Sequence, residues 1–472
     1  MPNVNSVSDP LAKRPNILVI LTDDHGQWAS HCYGNSELST PNLDFLAETG
    51  ARMTNAYTPS PVCSPARACF FTGRLPSQHG IHDWIREEGD TRHWMARERP
   101  LAAVLREAGY ATGLTGKWHC GQGELPKSGF DYYASHATHQ YPHRGSQHFL
   151  ENGNPIAYQG QQAALVTSKA QQFLRNRDRS RPFFLFVGYV DTHSPFRDHP
   201  ERLVRRYRDA TFADVFQETY HSPGRGIHLP PQDPTELREE LAQYYAAVSY
   251  VDEQVGILLD ELEGTDDLAN TLVVYTSDHG HMNGQHGLTT KGNATIPQNF
   301  LDESIRIPCL LRWPARIGPG SLFAEPVDHC DLFQTLLESA GCPEEGDAAQ
   351  HRNSPGRSYL PLLAGQEKPA WRTEQFCEYG NARMVRTEQH KLIVRYPPHA
   401  PHFGDELYDL QEDPREIQNR IADSRYTETL RTLRAHLDTH FARYEETGFS
   451  GREILKRPIH NPNEPWRTEA LP

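Results

Sequence analysis

Four apolar runs that end abruptly in charged or imidazole side chains constrain this chain most. They are "NILVILT" (16–22), "YATGLTG" (110–116), "RPFFLFVGYV" (181–190) and "TLVVYTS" (271–277). Continuous rather than alternating apolar character marks strands covered on both faces, as in parallel sheets. Between them lie helical patterns. "TPNLDFLAETG" (40–50) has Pro41 in its first turn and Gly50 as its stop. "PLAAVLREAGY" (100–110), the long segment from about 234 to 263 and "DHCDLFQTLLESAG" (328–341) follow the helical period. Strand and helix alternating over this length predict an α/β fold: a large, mostly parallel or mixed sheet sandwiched by helices.

The 472 residues exceed what one core usually serves, so a second, smaller part is expected. The texture changes near Gly365. "EQFCEYG", "ARMVRTEQHKLIVRY" and "DELYDLQEDP" read as short strands, and "SRYTETLRTLRAHLDTHFARYEE" as a helix. We therefore expect residues 1–365 to form a catalytic domain and 366–472 a C-terminal α+β part with a small antiparallel sheet. The stretch from Tyr133 to Gln162, rich in His, Tyr, Gln and Gly, reads as a long functional loop or insertion.

Forty-seven basic against 61 acidic residues give a net charge of −14, which argues against nucleic acid or an anionic membrane as partner. An anionic substrate would have to be drawn by a local cluster of cations. The apolar run at 17–21 is too short for a signal core or a membrane span, so a cytoplasmic location is expected, or a periplasmic or secreted one if a leader has been removed. The eight cysteines then read as reduced thiols, and with no CxxC pair a structural zinc site is not expected. Oligomeric state is not legible.

In an open α/β sheet, ligands bind beyond the carboxyl ends of the parallel strands. The four runs lead into Asp23-Asp24-His25, Lys117-Trp118-His119, Asp191-Thr192-His193 and Asp278-His279-Gly280. Singly, an Asp after a strand is a turn former or cap and a His a satisfied polar residue. That ordinary reading stays open for His25 and Asp191. Four such endings on one edge predict a site. Asp23, Asp24 and Asp278 gathered there would repel one another without a cation among them, and oxygen ligands suit Ca²⁺ first, then Mg²⁺ or Mn²⁺. The acids support one ion; Lys117 and Lys291 would supply fixed positive charge to a tetraoxyanion. In "TPSPVCSPARACFFTGR" (58–74), Pro65 and the small residues place Cys63 just before a helix N-terminus. Free N–H groups and the helix dipole favour an anion there, and Arg67 can reach it one turn in.

These segments resemble the sulfatase family, the formylglycine-dependent members of the alkaline phosphatase superfamily. "CSPARACFFTGR" fits the signature Cys-x-Pro-x-Arg with a Thr-Gly-Arg ending, and "NILVILTDD", "TGKWH", "DTHSPF" and "SDHG" follow in family order. The tail "HKLIVRY…ELYDLQEDPREIQN" is similar to the family's closing hairpin. The resemblance implies an alkaline-phosphatase-like fold. It also implies that a formylglycine-generating enzyme oxidises Cys63 to formylglycine (3-oxoalanine), whose hydrate attacks sulfur, expels the alcohol and then releases sulfate. It further implies that Asp23, Asp24, Asp278, His279 and the modified Cys63 hold the metal, usually Ca²⁺. Arg67 would support the hydrate, His119 act as base, His193 with Lys291 serve the leaving oxygen, and Lys117 clamp sulfate. His279 departs from the Asn of many sulfatases and keeps Mn²⁺ open.

The expected function is hydrolysis of a sulfate ester on a small molecule or oligosaccharide, with a carbohydrate as substrate. A sugar subsite is expected from "HGIHDWIREE" (79–88) and "HATHQYPHRGSQHF" (136–149), specifically His82, Trp84, His143 and Arg144. The alternative is a phosphonate monoester or phosphodiester hydrolase with the same nucleophile. Two further readings are a non-catalytic binder of sulfated glycans and a cysteine hydrolase using the Cys63 thiolate, which would not need the three carboxylates.

Overall fold

The computed structural model describes residues 14–86, 90, 92–121, 128–137, 142–216, 224–342, 353–365, 370–399 and 402–467. Residues 87–88 and 138–141 of the two expected subsite segments, and the 366–369 junction, lie outside them.

The elements that position the site are, in chain order, β1 (Asn16–Thr22), α1 (Pro41–Thr49), β2 (Ala51–Met53), α2 (Cys63–Thr72), α3 (Leu101–Glu107), β3 (Ala111–Gly116), β4 (Tyr132–His136), β5 (Arg144–Glu151), β6 (Asn154–Gln161), α4 (Gln162–Asn176), β7 (Phe183–Gly188), α5 (Glu201–Tyr207), α6 (Pro234–Gly264), β8 (Thr271–Ser277), β9 (Cys309–Arg312), β10 (Ser321–Phe323) and α7 (His329–Ser339). Ten strands form one sheet in the order β10-β2-β9-β8-β1-β7-β3-β4-β5-β6. Its centre, β8-β1-β7-β3-β4, is parallel; β9 joins β8 antiparallel, and β4, β5 and β6 pair antiparallel.

Period-2 alternation sends the strand residues to two cores. Ile17, Val19 and Leu21 join Phe70 and Phe71 of α2, Leu101 and Leu105 of α3 and Leu336 of α7 on one face. Leu18 and Ile20 face Leu43 of α1, Val166 of α4, Val204 of α5 and Val248 and Val251 of α6 on the other. Both faces are covered, which is why these strands read as unbroken apolar runs.

The expected loop at 133–162 is instead sheet: β4 and the hairpin β5-β6 extend the central sheet to its edge. Along β5, exposed Arg144, Ser146 and His148 alternate with buried Gln147 and Phe149. Side chains facing water at a sheet edge supply the polar composition that resembles a loop.

The C-terminal part forms a four-stranded antiparallel sheet of β11 (Gln375–Tyr379), β12 (Ala382–Arg386), β13 (His390–Arg395) and β14 (Glu406–Asp409), backed by α8 (Thr427–Tyr444). Both its faces are continuous with the larger part. Tyr379, Met384 and Ile393 pack with Tyr57, Val62 and Phe300, while Val385, Leu392 and Phe441 pack with Cys69, Leu75 and Cys330. A buried ionic lattice adds to this: Arg386 and Lys391 of the small sheet both meet Asp302, at 2.9 and 2.6 Å. No helix among the described residues is long and apolar enough to cross a membrane. None of the eight cysteines forms a disulfide.

Candidate active site

Strand register assembles the site. Thr22 of β1 pairs with Ser277 of β8, Leu21 with Gly188 of β7, and Gly188 with Gly116 of β3. The strands therefore end level, and the next residues leave from one edge. The ladder runs one step further: Asp278 N donates to Thr22 O at 3.0 Å and Lys117 N to Gly188 O at 2.8 Å. Gly116 is required here. Its φ is +91°, and a Cβ would lie 2.0 Å from the Gly188 carbonyl oxygen.

The chain turns sharply after β1 and β3 and again before Lys291. Asp24 (φ 61°), His119 (φ 58°) and Thr290 (φ 77°), which precedes Lys291, all adopt left-handed backbone. Such conformations cost about 1–3 kcal/mol each and persist where surrounding structure enforces them, commonly at functional sites. The enforcement is visible at Asp24. Tyr244 Oη and Thr192 Oγ1 both donate to its carbonyl, at 3.0 and 2.9 Å.

Cys63 is the first residue of α2, one position further in than expected, with Val62 as N-cap. Pro65 falls in the first turn, where a missing N–H leaves no helical bond unmade. The Cys63 Sγ lies 3.4 Å from Asp23 Oδ1, 3.3 Å from His279 Nε2 and 3.2 Å from Lys291 Nζ. Around it the charges interlock. Lys117 Nζ donates to Asp23, and Lys291 Nζ donates to Asp24 at 2.6 Å. Arg67 Nε donates to Asp278 at 2.9 Å and its Nη1 to the Lys117 carbonyl at 2.8 Å. Arg67 therefore braces the carboxylates.

Burial magnifies these interactions. It tends to lift the Cys63 thiol, but Lys117, Lys291 and His279 outweigh it and hold the thiol well below its ordinary range. Burial and the nearby thiolate oppose ionisation of Asp23, yet Lys117, His193 and Arg67 keep its carboxyl well below the usual carboxylate range. Asp278 carries less compensation. Burial and the charge of Asp23 raise it to about 7, and Asp278 in turn raises His279 to about 9 against burial.

The two flanking imidazoles differ. His119 Nε2 faces the Ile85 carbonyl at 3.0 Å, so it carries the proton and Nδ1 keeps the lone pair, turned toward residue 63. Burial and Lys117 push this ring down to about 4, so it is neutral at pH 7. His193 Nδ1 donates to the Ser194 carbonyl at 2.7 Å, and its Nε2 lies 3.8 Å from Asp24. Burial disfavours its protonation, but Asp24 overrides burial and raises it. Its side chain is 25% exposed, against 6% or less for Lys117, Lys291, Arg67 and the three aspartates, so it stands on the open side of the cluster.

The donor set fits a divalent ion. Asp23, Cys63, Asp278 and His279 each present one ligand atom, all within 4.8 Å of one another and all buried; Asp23, Asp24 and His193 form an adjoining group. Three carboxylates in so small a volume call for a hard cation.

The remaining sequence-predicted residues are more dispersed. His25 is a satisfied buried histidine, bonded to Tyr275 Oη at 2.7 Å and the Ala29 carbonyl at 2.8 Å. His82 is fully buried, its Nε2–H committed to the Phe449 carbonyl at 2.7 Å. His143 is buried behind His193, donating to its carbonyl at 2.7 Å. Trp84 is half-buried, and Arg144 is exposed at the start of β5. Sequence reasoning missed His281, stacked on Tyr244 and 3.8 Å from Asp24, and the Thr192 and Tyr244 hydroxyls that hold Asp24. The His-x-His spacing of 279 and 281 was the available signal.

Known proteins resemble this chain over most of its length. The family profile Sulfatase matches residues 15–342, and the profile N-sulphoglucosamine sulphohydrolase, C-terminal, matches 297–443. The chain is 26% identical to an N-acetylglucosamine-6-O-sulfatase of Bacteroides thetaiotaomicron, over 94% of this chain and 89% of that protein. It is 31% identical to a choline-sulfatase of Rhizobium meliloti, over 92% and 88%. A solved structure in complex with its substrate, D-glucosamine-2-N,6-O-disulfate, superposes with a TM-score of 0.77 at 26% identity, covering 92% of this chain and 99% of the other. The family profile over residues 15–342 and these relatives, matched over most of their length, show that the chain belongs to the sulfatase family of sulfuric ester hydrolases.

Proposed function

We propose that this enzyme hydrolyses a sulfate ester on a sugar, using residue 63 as the nucleophile position and one divalent ion. The observation that carries the reading is Cys63 Sγ at a helix N-terminus, within 3.2–3.4 Å of Lys291, His279 and Asp23. Asp23, Asp24, Asp278, His279 and residue 63 would hold the ion, with Ca²⁺ first by ligand chemistry and Mn²⁺ second because of the imidazole. Bound there, the ion would withdraw charge from an oxygen placed on it. Oxidation of Cys63 to formylglycine by a maturation enzyme would supply a hydrated carbonyl as nucleophile.

The chain's own groups account for the proton and charge movements. Lys117 and Lys291 already flank residue 63, and with an ion sharing the carboxylates their ammonium groups can turn to the sulfate oxygens. Arg67 keeps Asp278 and Asp23 in place. His119, neutral with its lone pair on Nδ1, can take a proton from residue 63. His193, which Asp24 favours in the charged form and whose side chain is 25% exposed, can give one from Nε2 to the leaving alcohol oxygen. A sugar would then approach from the His193 side. Of the four expected subsite residues, Trp84 and Arg144 keep exposed surface to meet it.

The test combines intact mass of the peptide spanning Cys63 with sulfate release from 6-O-sulfated and N-sulfated glucosamines, choline sulfate, aryl sulfate and a phosphonate monoester. The expected result is an aldehyde at residue 63, chelator-sensitive turnover and the highest kcat/KM on a sulfated sugar. A thiol at residue 63 in fully active enzyme would overturn the nucleophile. Preference for the phosphonate, or for choline sulfate, would overturn the substrate class.

A further inference from the structure

Behind His193 lies a second cluster that the reaction above does not use. It consists of His143, from the chain leading into β5, with Asp191 and His199 from the segment after β7. All three side chains are 0–1% exposed. His143 Nδ1 lies 3.4 Å from Asp191 Oδ1, and His199 Nδ1 lies 3.7 Å from the same oxygen. One ligand atom from each of the three falls within 4.8 Å of the others. The two rings sit 4.6 Å apart between centroids.

The bonding around these atoms is incomplete. His143 Nδ1, both Asp191 carboxylate oxygens and both ring nitrogens of His199 make no hydrogen bond, although all are buried. The separations are too long or too oblique for one. Buried polar atoms left without a partner lose their hydration with nothing in exchange, which is destabilising. The tautomer sharpens the problem. His143 Nε2 must carry its proton, because it faces the His193 carbonyl at 2.7 Å. In the neutral ring Nδ1 is then an acceptor aimed at another acceptor, the Asp191 carboxylate. Burial pushes His199 down to about 3, so that ring is neutral and keeps one lone-pair nitrogen able to face a cation.

We infer that His143, Asp191 and His199 form a second, buried metal site for a late first-row divalent ion, Zn²⁺ first. Two imidazoles and one carboxylate make a borderline-soft donor set, which suits zinc and not the hard ion of the carboxylate site. Spacing agrees. Ligands about 2.0–2.1 Å from a tetrahedral zinc stand about 3.3–3.4 Å apart, whereas octahedral neighbours at that bond length stand about 2.9 Å apart. The observed 3.4 and 3.7 Å fall on the tetrahedral side.

The ion would be a positioning element. Thr192, next to Asp191, donates through its N–H to the Asp23 carbonyl at 3.0 Å and through Oγ1 to that of Asp24 at 2.9 Å. His143 holds the His193 carbonyl. Tying 143, 191 and 199 together would fix the turn that aims His193 and supports the backbone of the acidic pair.

The experiment uses full-length enzyme stripped with chelator, reloaded with excess Ca²⁺ and titrated with Co²⁺, whose visible spectrum reports coordination number. We expect about one equivalent bound with a four-coordinate spectrum. It should persist in Asp278→Asn, which disables the carboxylate site, and fall to background in His199→Gln and His143→Gln. X-ray absorption of zinc-loaded Asp278→Asn should show two imidazoles and a carboxylate oxygen, a readout that does not depend on the histidine variants folding. Absence of uptake in the wild type would overturn the proposal, leaving an imidazolium–carboxylate pair in its place. So would a spectrum lost in Asp278→Asn but kept in His199→Gln, or sulfur in the zinc shell.

Discussion

In the proposed reaction residue 63 carries the nucleophile and His193 gives the proton, so the two should fail differently when removed. Replacing Cys63 by Ala takes away the nucleophile, so sulfate release should fall by more than about 10³-fold whatever the leaving group. Replacing His193 by Ala takes away a proton donor, typically worth ~10²–10⁴-fold. That loss should appear with sugar sulfates, whose alcohols leave poorly, and shrink toward unity with a nitrophenyl sulfate, which needs no proton. Equal losses on both substrates, measured as kcat/KM, would remove His193 from the donor role. At this scale the sequence was legible wherever a side chain follows a buried strand, because register then dictates its place: Asp23, Lys117 and Asp278 could be located from pattern alone. It was opaque for His82 and His143. Both lie in His-rich surface-like stretches, yet backbone carbonyls at Phe449 and His193 take their rings inside.

The strand-to-turn junction is the element on which site geometry depends, and Gly116 tests it. Ala at this position would meet a positive φ and a Cβ–oxygen approach of 2.0 Å at Gly188. Because the obstructing atom is backbone, β3 must part from β7 locally. We expect a loss of about 1–3 kcal/mol in urea denaturation, with Lys117 and His119 displaced and kcat reduced more than KM. An unchanged midpoint would show that the junction has slack. The same element logic explains why central strands were readable and β5-β6 was not. Both faces of β1, β7 and β8 are covered, so their sequences are uniformly apolar. The edge hairpin has one face in water, and its alternating polar residues carry little that separates a strand from a loop.

Across the whole molecule, the two sheets behave as one body because cores and ion pairs run through both. Lys391 and Arg386 on the small sheet converge on Asp302 of the larger part, and removing one partner of such a buried set leaves an uncompensated charge. Asp83 makes a subtler link, and it gives a pH signature. This buried carboxyl, two residues before Ile85, accepts from Tyr379 Oη of β11 at 3.0 Å and from Trp84 N at 2.8 Å. Burial, with the charge of Glu464 behind it, raises Asp83 to about 8, so it is protonated in the native state at neutral pH. In the unfolded chain it titrates near about 4. Between those values the native state holds a proton that the unfolded state has lost, so its contribution is fully present below about pH 4 and declines as pH rises, by up to about 1.4 kcal/mol per unit, until about pH 8. Asp83→Asn keeps the acceptor oxygen and removes the titration. The variant should match the wild type in thermal unfolding near pH 4 and exceed it by a margin that widens steadily toward pH 8. A constant offset across that range would mean that Asp83 is already ionised in the folded protein, and that the Tyr379 hydroxyl is bonded to a charge rather than to an acid.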